Sequence, residues 1–403
     1  MNVIFLTMSR ITRVADRGIY QDLLRKFRDE GHSLYIVTPY ERSLRKHTEF
    51  FEQEGVYILG VKTLNLQKSS VIEKGVGQIL VEGQYLSAIK RYLSEVHFDL
   101  ILYSTPPITF YKVIKYLKEN NKNSTSYLLL KDIFPQNAVD LCMMATTGLK
   151  GILYKYFRRK EEKLYSVSDY IGCMSPENVR YVLAHNPELD IKKVEVAPNS
   201  IDISRVTEIA CEEKNFIKEK YGLPLDKPIF IYGGNLGKPQ SIKYLIACLQ
   251  DNANRKDCHF VIVGSGTEFP TLQEWYTNQD WGNVTVMNSL PSADYDRLVK
   301  ACDVGMIFLD HRFTIPNYPS RLLSYIENKM PVICATDPNT DIGRIAESNG
   351  FGFWCESNSV DSFTEILDKM IHSDCVSMGE RGYKFLMENY LVDNTYNVIM
   401  SHF

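Results

Sequence analysis

Three segments in the second half of the sequence carry the residue types that hold a phosphate. Gly233-Gly234-Asn235-Leu236-Gly237-Lys238 follows an apolar run and sets three glycines and a cation within six residues. Glycine lets backbone amides come close to an anion, and Lys238 adds charge; the plainer alternative is a tight turn with a solvated lysine. Gly264-Ser265-Gly266-Thr267 repeats the glycine spacing at the end of the next apolar run. Neither loop completes G-x-G-x-x-G, since Phe269 stands at the last position of the second. That weighs against a nicotinamide or flavin oxidoreductase. Pro319-Ser320-Arg321-Leu322 opens an apolar helical stretch, so Ser320 and first-turn amides such as that of Leu322 would face an anion, with the Arg321 fork beside them. Upstream, Asp310-His311-Arg312 ends a further apolar run and offers polar contacts to a substrate.

Other chemistries find less support. Asp294-Tyr295-Asp296 has the form of a metal-binding D-x-D, but between Pro291-Ser292-Ala293 and Leu298-Val299 it reads as the acidic first turn of a helix. The eight histidines form no ligand-spaced cluster, so neither a metal nor another cofactor is expected.

Elements that would position these loops alternate along the chain. Apolar runs at Val3–Leu6, Leu34–Thr38, Val56–Leu59, Leu100–Ser104, Tyr127–Leu130, Tyr170–Met174 and Val194–Val196 are interspersed with helical patterns such as Ile19–Asp29. Pro198-Asn199-Ser200-Ile201-Asp202 and a polar run then break the rhythm. It resumes at Ile229–Tyr232, Phe260–Val263, Val284–Met287, Val304–Phe308 and Pro331–Ala335. Strands alternating with helices predict parallel sheets. With 403 residues, two α/β domains are expected, residues 1–205 and 206–382, with a helix over 383–403 packing back on the first. The fold class predicted is two Rossmann-like, doubly wound sheets facing a central cleft.

Composition bounds the partners. Hydrophobic residues at 44% and charged residues at 24% indicate a soluble globular chain, and a net charge of -3 gives no general attraction to nucleic acid. Nine scattered cysteines without a C-x-x-C pair read as reduced thiols, which points to the cytoplasm. No run reaches the length of a spanning helix. One basic stretch stands out. Lys155, Arg158, Arg159, Lys160 and Lys163 lie beside Leu149, Ile152, Leu153, Tyr156 and Phe157 at helical spacing. Such a helix suits an anionic lipid surface, or else packs on its own sheet with a solvated basic face.

In their order, these landmarks resemble the GT-B glycosyltransferases, and within them glycosyltransferase family 4. Gly31-His32-Ser33-Leu34-Tyr35-Ile36-Val37-Thr38 looks like the family's GHxVxVxT, Pro198-Asn199-Ser200-Ile201-Asp202 like its PNGxD linker, and Ala301-Cys302-Asp303-Val304 like its AADV strand entry. Pro331-Val332-Ile333 looks like its PVI. Asp132-Ile133-Phe134-Pro135-Gln136, Gly234-Asn235-Leu236-Gly237 and Pro319-Ser320-Arg321 resemble the D-x-W-P-E, GNxG and PSK segments of a subgroup that builds O-antigens and capsules. The resemblance implies transfer, with retention, from a nucleotide diphosphate donor, commonly a UDP-sugar, to a lipid-linked oligosaccharide at the inner face of the plasma membrane.

The departures are specific. Asn235 and Gln240 stand where most members have the Arg and Lys that hold the donor diphosphate, and Pro316 and Ser324 replace the E-x7-E glutamates. Lys238 and Arg321 are therefore expected to supply the charge, and Glu327, one helical turn past Ser324, to reach the ribose. Asp132 is expected to position a sugar unless it is a helix cap. Arg17 and Gly18 are expected to face the diphosphate or acceptor. A nucleotide-sugar epimerase on the same fold, and a nucleotide- or glycan-binding protein without catalysis, are the alternatives.

Overall fold

A computed structural model describes residues 1–66, 71–279 and 281–403; the side chains at 71–76, 78, 149, 150 and 205 lie outside the described residues, Leu149 and Lys150 of the basic stretch among them. The chain divides into two units, Met1–Ile201 with Val392–Phe403, and Asp202–Leu391.

Unit 1 runs β1 (Asn2–Leu6), α1 (Ile19–Asp29), β2 (Ser33–Glu41), β3 (Glu49–Gln53), β4 (Val56–Thr63), α2 (Val71–Tyr92), β5 (Leu100–Ser104), α3 (Tyr111–Asn120), β6 (Thr125–Leu130), α4 (Gln136–Asp140), α5 (Gly148–Val167), β7 (Tyr170–Cys173), α6 (Pro176–His185) and β8 (Val194–Val196). The sheet order is β3-β4-β2-β1-β5-β6-β7-β8, parallel except for the β3–β4 pair. Central strands such as Leu100–Ser104 are buried along their whole length, as strands covered on both faces must be. From β4 to β8 every crossover steps the same way across the sheet. Right-handed connections therefore put α2, α3, α5 and α6 on one face and α1 on the other.

Unit 2 runs α7 (Cys211–Lys220), β9 (Ile229–Asn235), α8 (Ile242–Asp251), β10 (His259–Ser265), α9 (Phe269–Thr277), β11 (Val284–Asn288), α10 (Ser292–Ala301), β12 (Val304–Phe308), α11 (Arg321–Ile326), β13 (Val332–Thr336), α12 (Ile342–Ser348), β14 (Gly352–Glu356), α13 (Val360–Ile371) and α14 (Cys375–Asn389). Its parallel sheet is ordered β11-β10-β9-β12-β13-β14, a doubly wound arrangement whose direction of winding reverses between β9 and β12. Ligands of such sheets bind at the carboxyl ends of the strands flanking that reversal.

The helical pattern of the last residues breaks at Tyr390 and Leu391. α14 stays in unit 2, whereas α15 (Val392–Met400) packs beside α1 in unit 1. Ile399 is fully buried there, Tyr396 donates or accepts at His32 Nε2 (2.9 Å), and Lys26 pairs with Asp393 (2.7 Å). His402 stacks on Tyr170 with ring centres 3.5 Å apart and reaches Glu195 at 2.8 Å.

Candidate active site

At the winding reversal of unit 2, β9 ends in Gly233-Gly234-Asn235, and β10, its neighbour on the other side, ends in Gly264-Ser265. Gly234 has φ +123°, a conformation that side-chain-bearing residues rarely adopt, and a Cβ there would stand 3.4 Å from Arg321 Nη2. The neighbouring loop is equally constrained: a Cβ on Gly264 would collide with the carbonyl of Gly234, and one on Gly266 with that of Leu236. Two glycine loops are thus packed backbone to backbone, and that packing walls a cavity of about 420 Å³. Gly234, Asn235, Gly264, Ser265, Ser289 and Tyr295 line it.

Arg321 begins α11 immediately beside these loops. Its guanidinium carbon lies 4.2 Å from the centre of the Tyr232 ring, a desolvated cation–π geometry. The buried Nη1 has no hydrogen-bond partner, and among the described residues no carboxylate pairs with Arg321. An arginine held this way, against phenol rings and without a counter-ion, is arranged to receive an anion. Tyr325 fixes the floor: its hydroxyl accepts from Gly233 N and donates toward Ile231 O (3.2 Å) and Met306 O (3.3 Å), bridging β9 and β12. The Tyr232 hydroxyl donates to Asn235 O at 2.8 Å.

Other predicted donor residues have different fates. Asn235 Nδ2 donates to Gln240 Oε1 (3.1 Å), and Gly237 N donates to the same oxygen (3.2 Å), so the two positions lacking cations form an amide clasp on the loop. Lys238 is exposed with no partner among the described residues, and its loop is tied to Asp310 through Asp310 N–Pro239 O (2.9 Å). Asp310 is engaged by Arg312 through Nε and Nη2, each at 2.8 Å. Burial would raise its carboxyl, but these bonds and the Arg312 amide hold it below the usual range. Its carboxylate is thus committed to shaping the loop rather than offered to a ligand. Ser320 stands at the N-cap position of α11 and makes no side-chain cap bond to it. Glu327 is buried at the C-terminal end of α11, about 9 Å along the axis from Arg321.

Tyr232, Tyr295, Ser289 and Ser292 escaped the sequence reading. Tyr295 is the middle residue of the D-x-D rejected as a metal motif. Asp294 is the acidic first-turn residue of α10 and pairs with Lys220 (3.4 Å), while the ring of Tyr295 packs on Gly233 and lines the cavity. Among the described residues, no three His, Cys, Asp or Glu converge as a metal site would require.

In unit 1, Asp132 follows β6 at the carboxyl edge of the sheet. It is not a helix cap, since α4 starts at Gln136 behind Pro135. Thr105 Oγ1 accepts from the amides of Lys131 (2.9 Å) and Asp132 (3.2 Å), joining the β5 and β6 loops. Asp132 is exposed yet crowded by protein, and desolvation raises its carboxyl to about 6. Lys131 donates to Ala197 O (3.2 Å) and is lowered by desolvation to about 7. Burial raises the Tyr20 phenol to about 12; its bond to Ser104 opposes that shift and the nearby Asp132 charge adds to it. Tyr20, Ser104 and Asp132 are thus neighbours, and Tyr20 was not foreseen. Gly18 precedes α1 and donates to Asp22 Oδ1 (3.3 Å), while Arg17, next to it, is half-buried. The loop from Val14 to Asp16 is clamped by Arg25, which donates to both carbonyls and pairs with Asp22.

The basic helix α5 divides its cations. Arg158 is spent on Glu161 (2.6 Å), His185 O (2.8 Å) and Asn186 Oδ1 (2.5 Å), and Lys160 on Glu82 (3.4 Å). Arg158 and Lys160, two of the five cations of the basic stretch, are thus engaged by the protein itself. Lys155 and Arg159 are exposed without partners among the described residues.

Comparison with known proteins fits this geometry. Residues 213–385 match the family Glycosyl transferases group 1, so the chain carries a group 1 glycosyltransferase domain that includes the glycine loops and Arg321. Over 330 residues the sequence is 22% identical to "Probable glycosyltransferase WbjE" of Pseudomonas aeruginosa, covering 80% of this chain and 78% of that protein. The fold is GT-B. It superposes on a sucrose-phosphate synthase from Thermosynechococcus elongatus with a TM-score of 0.75 at 13% identity, over 100% of this chain and 98% of the other. On Anabaena Alr3699/HepE in complex with UDP the TM-score is 0.71 at 14% identity, over 100% and 99%.

Proposed function

We propose that this glycosyltransferase takes its sugar from a nucleoside diphosphate donor, a UDP-sugar, and passes it with retention to a lipid-linked oligosaccharide of a surface polysaccharide. The observation that carries the reading is Arg321: a guanidinium with a buried, unpaired nitrogen, beside two glycine loops and a cavity of nucleoside size. As the sugar–phosphate bond breaks, the departing diphosphate gains negative charge, and a preorganised cation with exposed backbone amides lowers the energy of that state. Lys238 adds a second, mobile charge. The leaving phosphate itself takes the acceptor hydroxyl proton in a retaining transfer, so unit 2 needs no nucleophile of its own. In unit 1, Asp132, with Tyr20 beside it, holds the acceptor sugar, and the buried Ser104 backs them. Support for a UDP donor comes from the neutral lining of the cavity and from the likeness to a structure solved with UDP. The polysaccharide role draws on the relative WbjE and on a weaker likeness, 24% identity over 169 residues, to a colanic acid biosynthesis glycosyl transferase, WcaI, of Escherichia coli. No described helix is long and apolar enough to cross a membrane; in this proposal the lipid-linked acceptor is met at the cytoplasmic membrane surface.

Calorimetry with UDP, GDP and ADP tests the donor. UDP is expected to bind best, and to bind more weakly when Arg321 is replaced; absence of binding by all three removes the proposal.

A further inference from the structure

One face of unit 1 exposes what a soluble domain normally covers. On α5, Ile152 is 66% exposed, Leu153 47% and Tyr156 37%. On α2, Ile79 is 51% exposed and Leu80 47%. The two helices belong to the same face of the sheet and are pinned together, because Glu82 pairs with Lys160 at 3.4 Å and also accepts from the first turn of α3 through Lys112 N at 2.7 Å. Ile79 precedes Glu82 by three residues and Tyr156 precedes Lys160 by four, so both flank this ion pair by about one helical turn.

Charge around these side chains is one-sided. α5 carries six basic and two acidic residues in a chain whose net charge is -3. Arg158 and Lys160 are held by protein groups, which leaves Lys155, Arg159 and Lys163 as exposed cations among the described residues, the first two interleaved with Ile152 and Tyr156. Apolar side chains that protrude between cations match an interface of hydrocarbon beneath anionic headgroups, and a tyrosine suits the boundary itself.

Position along the sheet adds a second argument. α5 feeds β7 at its C-terminal end, so its first half lies toward the carboxyl edge, and the early part of α2 does likewise before β5. The segment after Asp132 is seated on that first half of α5: Phe134 packs edge-on against Phe157 at 5.1 Å, and Tyr154 donates to Gln136 at 3.4 Å across a small cavity that Ile133 and Pro135 also line. The helix that exposes its apolar side chains therefore also supports the loop carrying Asp132.

We infer that the α2–α5 face docks on an anionic lipid bilayer by inserting Ile152, Leu153 and Tyr156 with Ile79 and Leu80, and that this brings the Asp132 loop to the headgroup level where a lipid-linked acceptor presents its sugar. The choice of acceptor rests on the function proposed above; the docking does not.

Cosedimentation of the full chain with phosphatidylcholine vesicles, with and without phosphatidylglycerol, tests it. Binding is expected only to the mixed vesicles. The pair Ile152→Ser with Leu153→Ser should lower the bound fraction by about tenfold or more. Lys155→Glu with Arg159→Glu should remove the preference for phosphatidylglycerol. All four sites are exposed, and an unchanged thermal unfolding transition of each variant verifies that unit 1 is folded. A Tyr156→Trp variant should show a blue shift of emission on the mixed vesicles. The inference is overturned if the native chain ignores the mixed vesicles, if the serine pair binds them as well as the native chain, or if the substitutions instead abolish a concentration-dependent dimer in solution. Loss of UDP binding with vesicle binding intact would overturn the donor assignment alone.

Discussion

Replacing Arg321 by methionine should separate stability from binding. The guanidinium lies over Tyr232 with a buried nitrogen lacking a partner, so it bears a desolvation cost that only a ligand relieves. Exchanging buried ionic groups for packed apolar ones typically stabilises by about 1–4 kcal/mol. Against this stands the cation–π contact, up to about 2 kcal/mol when desolvated. Because the residue as a whole is half-buried, the low end of the gain applies, and the ligand-free variant should unfold at equal or slightly greater urea concentration, by at most about 1 kcal/mol. Hydrogen bonds to charged groups contribute about 1.5–3 kcal/mol, so the same change should weaken UDP by about tenfold to a hundredfold. Urea unfolding without ligand and calorimetry with UDP measure the two effects. A variant that loses more than about 2 kcal/mol of stability while binding UDP as tightly as the native chain would refute the reasoning, since Arg321 would then be a structural residue.

Further outcomes follow from the same geometry. In the Arg321→Met background, Asn235→Arg with Gln240→Lys should restore part of the UDP affinity, because those positions flank the same glycine loop; calorimetry reads it. Gly264→Val should drive the Gly234 carbonyl out of place, lowering stability by about 1–3 kcal/mol and abolishing nucleotide binding, as urea unfolding and calorimetry would report. The carboxyl of Asp132, raised in the folded chain to about 6, is protonated more readily there than when unfolded, so its ionisation opposes folding as pH rises from about 4 to 6. Asp132→Asn should therefore be relatively more stable above pH 6 and no different below about 4. If its carboxylate holds the acceptor, kcat/KM of the native chain rises with pH through about 6, and the variant loses that limb.

Much of the fold was legible because buried parallel strands are continuous apolar runs separated by amphipathic helices. β3 was missed because Glu49-Phe50-Phe51-Glu52-Gln53 is an edge strand with mostly exposed, charged side chains, and β14 because it is a short edge strand opening on glycine. The break between α14 and α15 was invisible to periodicity, which continues through Tyr390. In the site, Arg321 could be read from its place after Pro319-Ser320. Two of the phenols around it could not, since Tyr232 and Tyr295 come from β9 and α10, which only the folded sheet brings to α11. The pairing of Arg158 and Lys160 was hidden for the same reason: their partners Asn186 and Glu82 lie 28 and 78 residues away.

Titration of uridine, UMP and UDP into the native chain and into Arg321→Met tests the donor assignment most directly. The native chain is expected to prefer UDP over uridine by at least about tenfold, and the variant to lose that preference while keeping its affinity for uridine. If Arg321→Met weakened uridine and UDP equally, or neither, the arginine would not be holding the diphosphate, and the donor site assigned to unit 2 would be contradicted.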